Sequence, residues 1–565
     1  MRNPSNSADL PLFFRGVPKE TGPCVNGLRQ ALFEWYTKHM SLETEIQRRR
    51  TFGIVSHPDA GKTTLTEKLL LFGGAIHAAG AIKAKKASRY ATSDFMEIEK
   101  QRGISVSTSV MGFEYNGIKI NLLDTPGHED FCEDTYRTLT AVDSVIMVID
   151  ASKGIEAQTY KLLAICKQRN TPVITFINKL DREGLPPIEL LDSIEEKLGI
   201  AVCPMSWPVG MGRDFRGVYD FNHRQLALFA PKSTKETVIL DDALDQPGSP
   251  LSDSEYAQFR EDIELIEGVY PTFDRAAYLS GQITPVLFGS ALNNFGVQQL
   301  LDCFVANAPE PQPRPTRTTP VSPSDTQFSG FIFKIHANID PKHRDRIAFL
   351  RICSGQFERN KKYTHVQSGK VYRCANPTAF MAQSKQVIEV AYPGDIIGLH
   401  DTGHLKIGDS LSEGPPVIFT GIPNFSPEIF KRVVITDPLK QKALKKGIQQ
   451  LTEEGVAQCF TRILDQQLLV GTVGNLQFEV IQYRLAHEYK AGCQFEAVPF
   501  TQARWISGPD AAIEALIQNR KPYVARDKHD QLVYLADTKW SVEREISDNP
   551  ELAFHTSDDG LGAQV

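Results

Sequence analysis

The stretch Ser56-His57-Pro58-Asp59-Ala60-Gly61-Lys62-Thr63-Thr64 follows the apolar run at 51–55 and opens a helical pattern over 62–71. It fits the phosphate-loop pattern G-x-x-x-x-G-K-[ST] everywhere except the first place, where Ser56 stands for Gly. In such a loop the backbone N–H groups at a helix N-terminus face phosphate, and the helix dipole favours the anion. Lys62 is placed to reach the β- and γ-phosphates, and the Thr63 hydroxyl to bind Mg²⁺.

Strands and helices alternate outward from this loop. Short β-branched runs at 51–56, 119–123, 144–149, 172–177 and 284–288 read as strands buried on both faces. Helical patterns at 62–71, 158–169, 188–198 and 297–304 lie between them. The alternation predicts an α/β domain with a doubly wound, mostly parallel sheet over 46–310. An insertion is expected over about 200–282, because 109 positions separate Asp181 from Ser290.

Two tetrapeptides at strand ends choose the base and the chemistry. Asp124-Thr125-Pro126-Gly127 offers a carboxylate that can hold Mg²⁺ through water and a Gly127 N–H for the γ-phosphate. Asn178-Lys179-Leu180-Asp181 offers a carboxylate that matches the paired N–H donors of guanine, with the Lys179 stem along the ring. Adenine lacks that donor pair, so the Asp would stay unpaired beside it. Ser290-Ala291, after the last strand, is a fourth contact, with a backbone N–H near guanine O6. Either tetrapeptide alone reads equally well as a turn; the three motifs in order carry the assignment.

The segment 94–105 ends in Arg102-Gly103-Ile104-Ser105 and sits where a switch loop is ordered by Mg²⁺ and γ-phosphate. Ser105 can supply a second Mg²⁺ hydroxyl; the bland alternative is a solvated, charged helix. His128, directly after Gly127, is placed to orient water against the γ-phosphate, a positioning role. Glu129 and Asp130 read as helix-start residues.

Residues 1–45 read as a disordered N-terminal extension, with Met40 a plausible protein start. A Pro-rich stretch at 311–326 reads as a stiff linker. Short β-rich runs over 327–422 suggest an antiparallel β-barrel. The order β-α-β-β-α-β from 423 predicts a ferredoxin-like α+β domain to 565, with a small α/β appendage after 507.

Composition sets the outer limits. The 565 residues are 41 % hydrophobic and 23 % charged, which is globular rather than fibrous or low-complexity. No run approaches the ~18 apolar residues of a membrane span. The net charge of −6 leaves nucleic-acid contact to local patches: Lys342-His343-Arg344, Lys431-Arg432 and 440–446. The nine Cys form no C-x-x-C pair and read as reduced, mostly buried thiols of a cytoplasmic protein.

Asp94 through Val106, with Asp124-Thr125-Pro126-Gly127-His128, resembles the translation GTPase family, and the domain order resembles its elongation factor G-like branch. Ser56 through Lys62, Arg102 through Ser105, His128 through Leu139 and Asp340 through Arg346 resemble, within that branch, the bacterial peptide chain release factor 3 family. The resemblance covers roughly 41–550. It implies GTP/GDP and Mg²⁺ as cofactors, and hydrolysis of GTP to GDP and phosphate stimulated by the ribosome. It also implies dissociation of class I release factors after peptide release. Implied partners are the ribosome, through rRNA and ribosomal proteins, and the class I release factors; no membrane is involved and a monomer is expected. Ser105 stands where elongation factor G carries Thr, so the hydroxyl is kept without the methyl that restricts its rotamer. Two alternatives stand beside this reading. An elongation factor G-like translocase needs two more domains, and only 65 residues follow Phe500. A nucleotide-gated ribosome-binding module with little turnover has no use for His128.

Overall fold

The strand Arg49–Ser56 is buried along its whole length because it has a parallel neighbour on each side, Ile118–Asp124 and Ser144–Asp150. The computed structural model of the chain describes residues 42–76, 99, 105–229, 237–241, 251–337, 346–381, 384–423 and 426–557. Beyond Ser144–Asp150 the sheet continues in parallel through Val173–Asn178, Ile283–Phe288 and Ala201–Pro204. The expected doubly wound sheet is present, with one antiparallel strand, Ser109–Tyr115, paired to Ile118–Asp124. That hairpin turns at Asn116-Gly117, both with positive φ, the dipeptide a tight hairpin favours.

The insertion begins by extending this sheet with Ala201–Pro204. It then forms a four-stranded antiparallel sheet from Ser206–Val209 to Thr237–Asp241. The helix Asp253–Val269, started by a Ser252/Glu255 capping box, buries Phe259 against Tyr219 at 5.3 Å between ring centroids.

Residues 42–45, assigned on sequence to the disordered extension, belong to the helix Leu42–Gln47. The reason is local: Glu45 pairs with Arg49 one turn on, and Ile46 is buried. Residues 1–41 lie outside the described residues. The Pro-rich stretch is a packed strap: Arg314 pairs with Val321 and reaches Asp143 at 2.6 Å, and Thr316 bridges Phe419.

Strands from Ser329–Ala337 to Ser410–Ser412 pair antiparallel around a core of Phe328, Ile332, Leu350 and Tyr363, as a barrel requires. A buried ionic seam joins this barrel to the first domain. Asp143 binds Arg351 at 2.5 Å, and Asp395 binds Arg49 at 2.9 Å and Lys119 at 3.0 Å.

The C-terminal part is one eight-stranded sheet. Its first half, Ile429–Ile435 to Cys493–Ala497, has the ferredoxin-like order fourth-first-third-second. The expected appendage is a second β-α-β-β-α-β unit, Gln502–Ser507 to Ala553–His555, with the mirrored order. The two units join where Thr461 and Arg462 pair with Arg526 and Ala525. Among the described residues no helix is long and apolar enough to cross a membrane.

Candidate nucleotide-binding site

The phosphate loop gets its shape from two left-handed residues, Asp59 (φ 65) and Gly61 (φ 92). A Cβ on Gly61 would lie 2.4 Å from Asn178 Nδ2, so both its backbone and its neighbour require glycine. Gly61 caps the helix Lys62–Phe72, whose first turn carries Lys62 and Thr63. The buried Lys62 ammonium rests on Asp124 Oδ1, while the buried Asp124 Oδ2 has no hydrogen-bond partner. Thr125 locks the turn after Asp124 by donating to Ile54 O at 2.7 Å. Thr135 donates to Pro126 O at 3.2 Å, which anchors Pro126-Gly127 to the following helix Cys132–Leu139.

The base-side motifs converge on the same loop. Asn178 Nδ2 donates to Ala60 O at 2.8 Å, and Asn178 Oδ1 accepts from Ala291 N–H at 2.9 Å. One amide therefore ties the phosphate loop to the Ser290-Ala291 loop. Lys179, itself at φ 72, lays its ammonium on Asp59 O and, at 2.7 Å, on Asp150 Oδ2. Leu180 is fully buried. Ser290 Oγ donates to Asp181 Oδ1 at 2.6 Å and aims that carboxylate.

Sequence reasoning missed Asp150. Burial alone would raise its carboxyl, but Lys179 and Ser152 outweigh that and hold it below the ordinary range. Its signal was its place, at the end of the strand Ser144–Asp150 between the two strands that carry Ser56 and Asn178.

Not every expected side chain faces the loop opening. His57 is fully buried with neither ring nitrogen hydrogen-bonded, and burial lowers its pKa below the ordinary imidazole value. It offers a ligand its main chain only. His128 is 39 % exposed, and its Nδ1 accepts from Asp130 N–H at 3.2 Å, capping the short helix Glu129–Phe131.

Of the expected switch residues, Arg102, Gly103 and Ile104 lie outside the described residues, and Ser105 lies within them. The backbone after Ser105 is held by two carboxylates. Buried Glu99 accepts from Val106 N–H at 2.9 Å and Ser107 N–H at 3.2 Å. Asp134 accepts from Thr108 N–H at 2.6 Å and from its hydroxyl at 2.7 Å. Asp134 in turn meets Lys334 of the barrel at 2.7 Å. Burial works against its charge, yet Lys334 and Arg137 pull the Asp134 carboxyl down to about 2.

Of the basic patches, Lys342-His343-Arg344 lies outside the described residues. Arg432 is paired with Glu496, and Lys431 lies over the Phe478 ring at 4.3 Å. Lys440, Lys442, Lys445 and Lys446 are exposed.

Three family matches divide the chain as the fold does. Residues 47–310 match the Elongation factor Tu GTP binding domain and 327–414 match Elongation factor G domain 2. Residues 419–545 match the Class II release factor RF3, C-terminal domain. A crystal structure of a protein from Thermus thermophilus aligns with a TM-score of 0.66 at 21 % identity, over 82 % of this chain and 71 % of that one; the two share a fold. A GTP-binding domain, a factor-type barrel and this C-terminal domain, in that order, define a translation GTPase, with guanine nucleotide as its ligand. Within that class the chain belongs to the release factor 3 family.

Proposed function

We propose that this chain is a ribosome-stimulated GTPase of translation termination that drives class I release factors off the ribosome after peptide release, and so recycles them. The observation that carries the reading is the union in one chain of a GTP-binding domain at 47–310 with a class II release factor domain at 419–545. The same union favours it over a translocase.

The nucleotide lies along one row of loops at the strand ends. Ser56 to Thr64 wrap the phosphates with main-chain N–H groups, and Lys62 exchanges part of its hold on Asp124 for the phosphate charge. Asp181, aimed by Ser290, reads the guanine edge, with the Lys179 stem along the ring and the Ala291 loop beside O6. Mg²⁺ fits the donors present: the Thr63 and Ser105 hydroxyls and the unpartnered Asp124 Oδ2, through water, are hard oxygen ligands. When bound it neutralises charge on the phosphates. Ser105 stands on the terminal-phosphate side as the switch hydroxyl, and His128 turns from Asp130 to hold the attacking water. The ribosome, through rRNA and ribosomal proteins, induces that turn. The chain works as a cytoplasmic monomer.

The test is release-factor turnover on post-termination ribosomes, with and without this chain and GTP. The reading requires turnover to rise only when both are present. It also requires His128→Ala to lose ribosome-stimulated hydrolysis by ~10²-fold or more while guanine-nucleotide affinity is kept. Hydrolysis that is the same with and without ribosomes would end this reading.

A further inference from the structure

Lys334 lies in the strand Ser329–Ala337 of the barrel, outside every nucleotide motif, and is 4 % exposed. Its ammonium crosses the domain boundary and is fully used there. It donates to Asp134 Oδ1 at 2.9 Å, to Asp134 Oδ2 at 2.7 Å and to Ser107 Oγ at 2.6 Å. Those partners come from the two segments that carry Ser105 and follow His128. Ser107 is two residues past Ser105, and Asp134 lies in the helix that follows His128.

The contacts form one unit. Asp134 also takes the Thr108 N–H and hydroxyl, and that hydroxyl meets Thr138 Oγ1 at 2.9 Å in the same helix. Removing the ammonium leaves the half-buried Asp134 with less countercharge and cuts the hold that the barrel has on the Ser107 side chain. A lysine buried in a strand interior is otherwise costly, and a solvated salt bridge would not need this depth.

We propose that Lys334 is a positioning residue for GTP recognition: from the barrel it presets the Ser105 segment and the His128 helix in the register that receives a terminal phosphate. The inference rests on the reading of Ser105 and His128 given above. Lys334 touches no nucleotide; it acts through Ser107 and Asp134. GDP, which lacks the terminal phosphate, gains nothing from that preset register. Discrimination between the two nucleotides therefore depends on Lys334, while affinity for the shared guanosine diphosphate part does not.

The experiment is stopped-flow binding of fluorescently labelled GDP and of a non-hydrolysable GTP analogue to the full chain, for wild type, Lys334→Met and Ser107→Ala. Lys334→Met should weaken the GTP analogue by ~10-fold or more, the order of one charge-assisted contact, and leave GDP within ~2-fold. Ser107→Ala keeps the Lys334–Asp134 pair, so it tests the inference even if the first variant folds poorly. It should move the ratio the same way by a smaller factor. A merely structural lysine would weaken both nucleotides together and leave the ratio of the two constants unchanged. An unchanged ratio in both variants, with wild type binding normally, overturns this inference alone. A wild-type chain that binds neither nucleotide overturns the functional reading and this inference with it.

Discussion

The Asp130 carboxylate accepts the Leu476 N–H at 2.7 Å, across the boundary between the GTP-binding and C-terminal domains. The helix Asn475–His487 starts after Gly474, which has no side chain to cap it, and Asp130 supplies the missing anion from another domain. Asp130 also lies 3.4 Å from His128 Nδ1. One carboxylate thus joins the residue proposed to hold water to a helix more than 300 positions away.

Asp130→Ala should cost about 1 kcal/mol of stability by urea denaturation, the usual worth of a lost N-terminal cap, and Asp130→Asn should recover most of it. Gly474→Ala should be worse, because its Cβ would sit 2.0 Å from Asp130 Cγ. Overpacking there should cost about 1–3 kcal/mol. Equal stability of Asp130→Ala and wild type would remove the capping role.

Asp143 holds two guanidinium groups, the buried Arg351 at 2.5 Å and the half-buried Arg314 at 2.6 Å, between the first domain, the strap and the barrel. Asp143→Ala strands both cations. A loss of about 3–5 kcal/mol is expected, since breaking a buried pair from one side leaves charge uncompensated. A double variant, Asp143→Ala with Arg351→Met, should recover part of the loss in the same denaturation assay.

Glu133 gives a pH signature. Burial pushes its carboxyl up to about 7 from the ordinary 4.5, against the pull of Arg137 and with the push of Asp134. Between those values the folded chain holds a proton that the unfolded chain has released, so this group's contribution falls as pH rises through the window. Glu133→Gln cannot ionise. It should raise stability at pH 8 by about 2–3 kcal/mol relative to wild type and change little at pH 5. Paired urea titrations at the two pH values test this; the same increment at both would contradict it.

What the sequence made legible follows from locality. Phosphate-loop, Asp124 and Asn178 motifs are contiguous peptides at strand ends, so a few residues each carry their own geometry. The Ser290–Asp181 bond was within reach because both ends stood in recognised motifs. Lys334 was not, since a lysine inside an apolar strand gives no hint of a partner 200 positions earlier. The second C-terminal unit was read as an appendage because two of its strands, Val524–Arg526 and Ala553–His555, are only three residues long. Such strands hold no alternation to detect; their neighbours in the sheet define them. The strand Ser109–Tyr115 escaped for a related reason, since its middle residue is Gly112 and its burial is mixed.

The central claim is a site selective for guanine, read by Asp181 and held open by the Asn178 bridge between two loops. Calorimetric titration of the wild-type chain with GTP and with ATP, in Mg²⁺ buffer, tests it most directly. The account predicts GTP bound at least ~10⁴-fold more tightly than ATP, with Asp181→Ala losing most of that preference. Comparable affinities for the two nucleotides, or a preference untouched by Asp181→Ala, would contradict it.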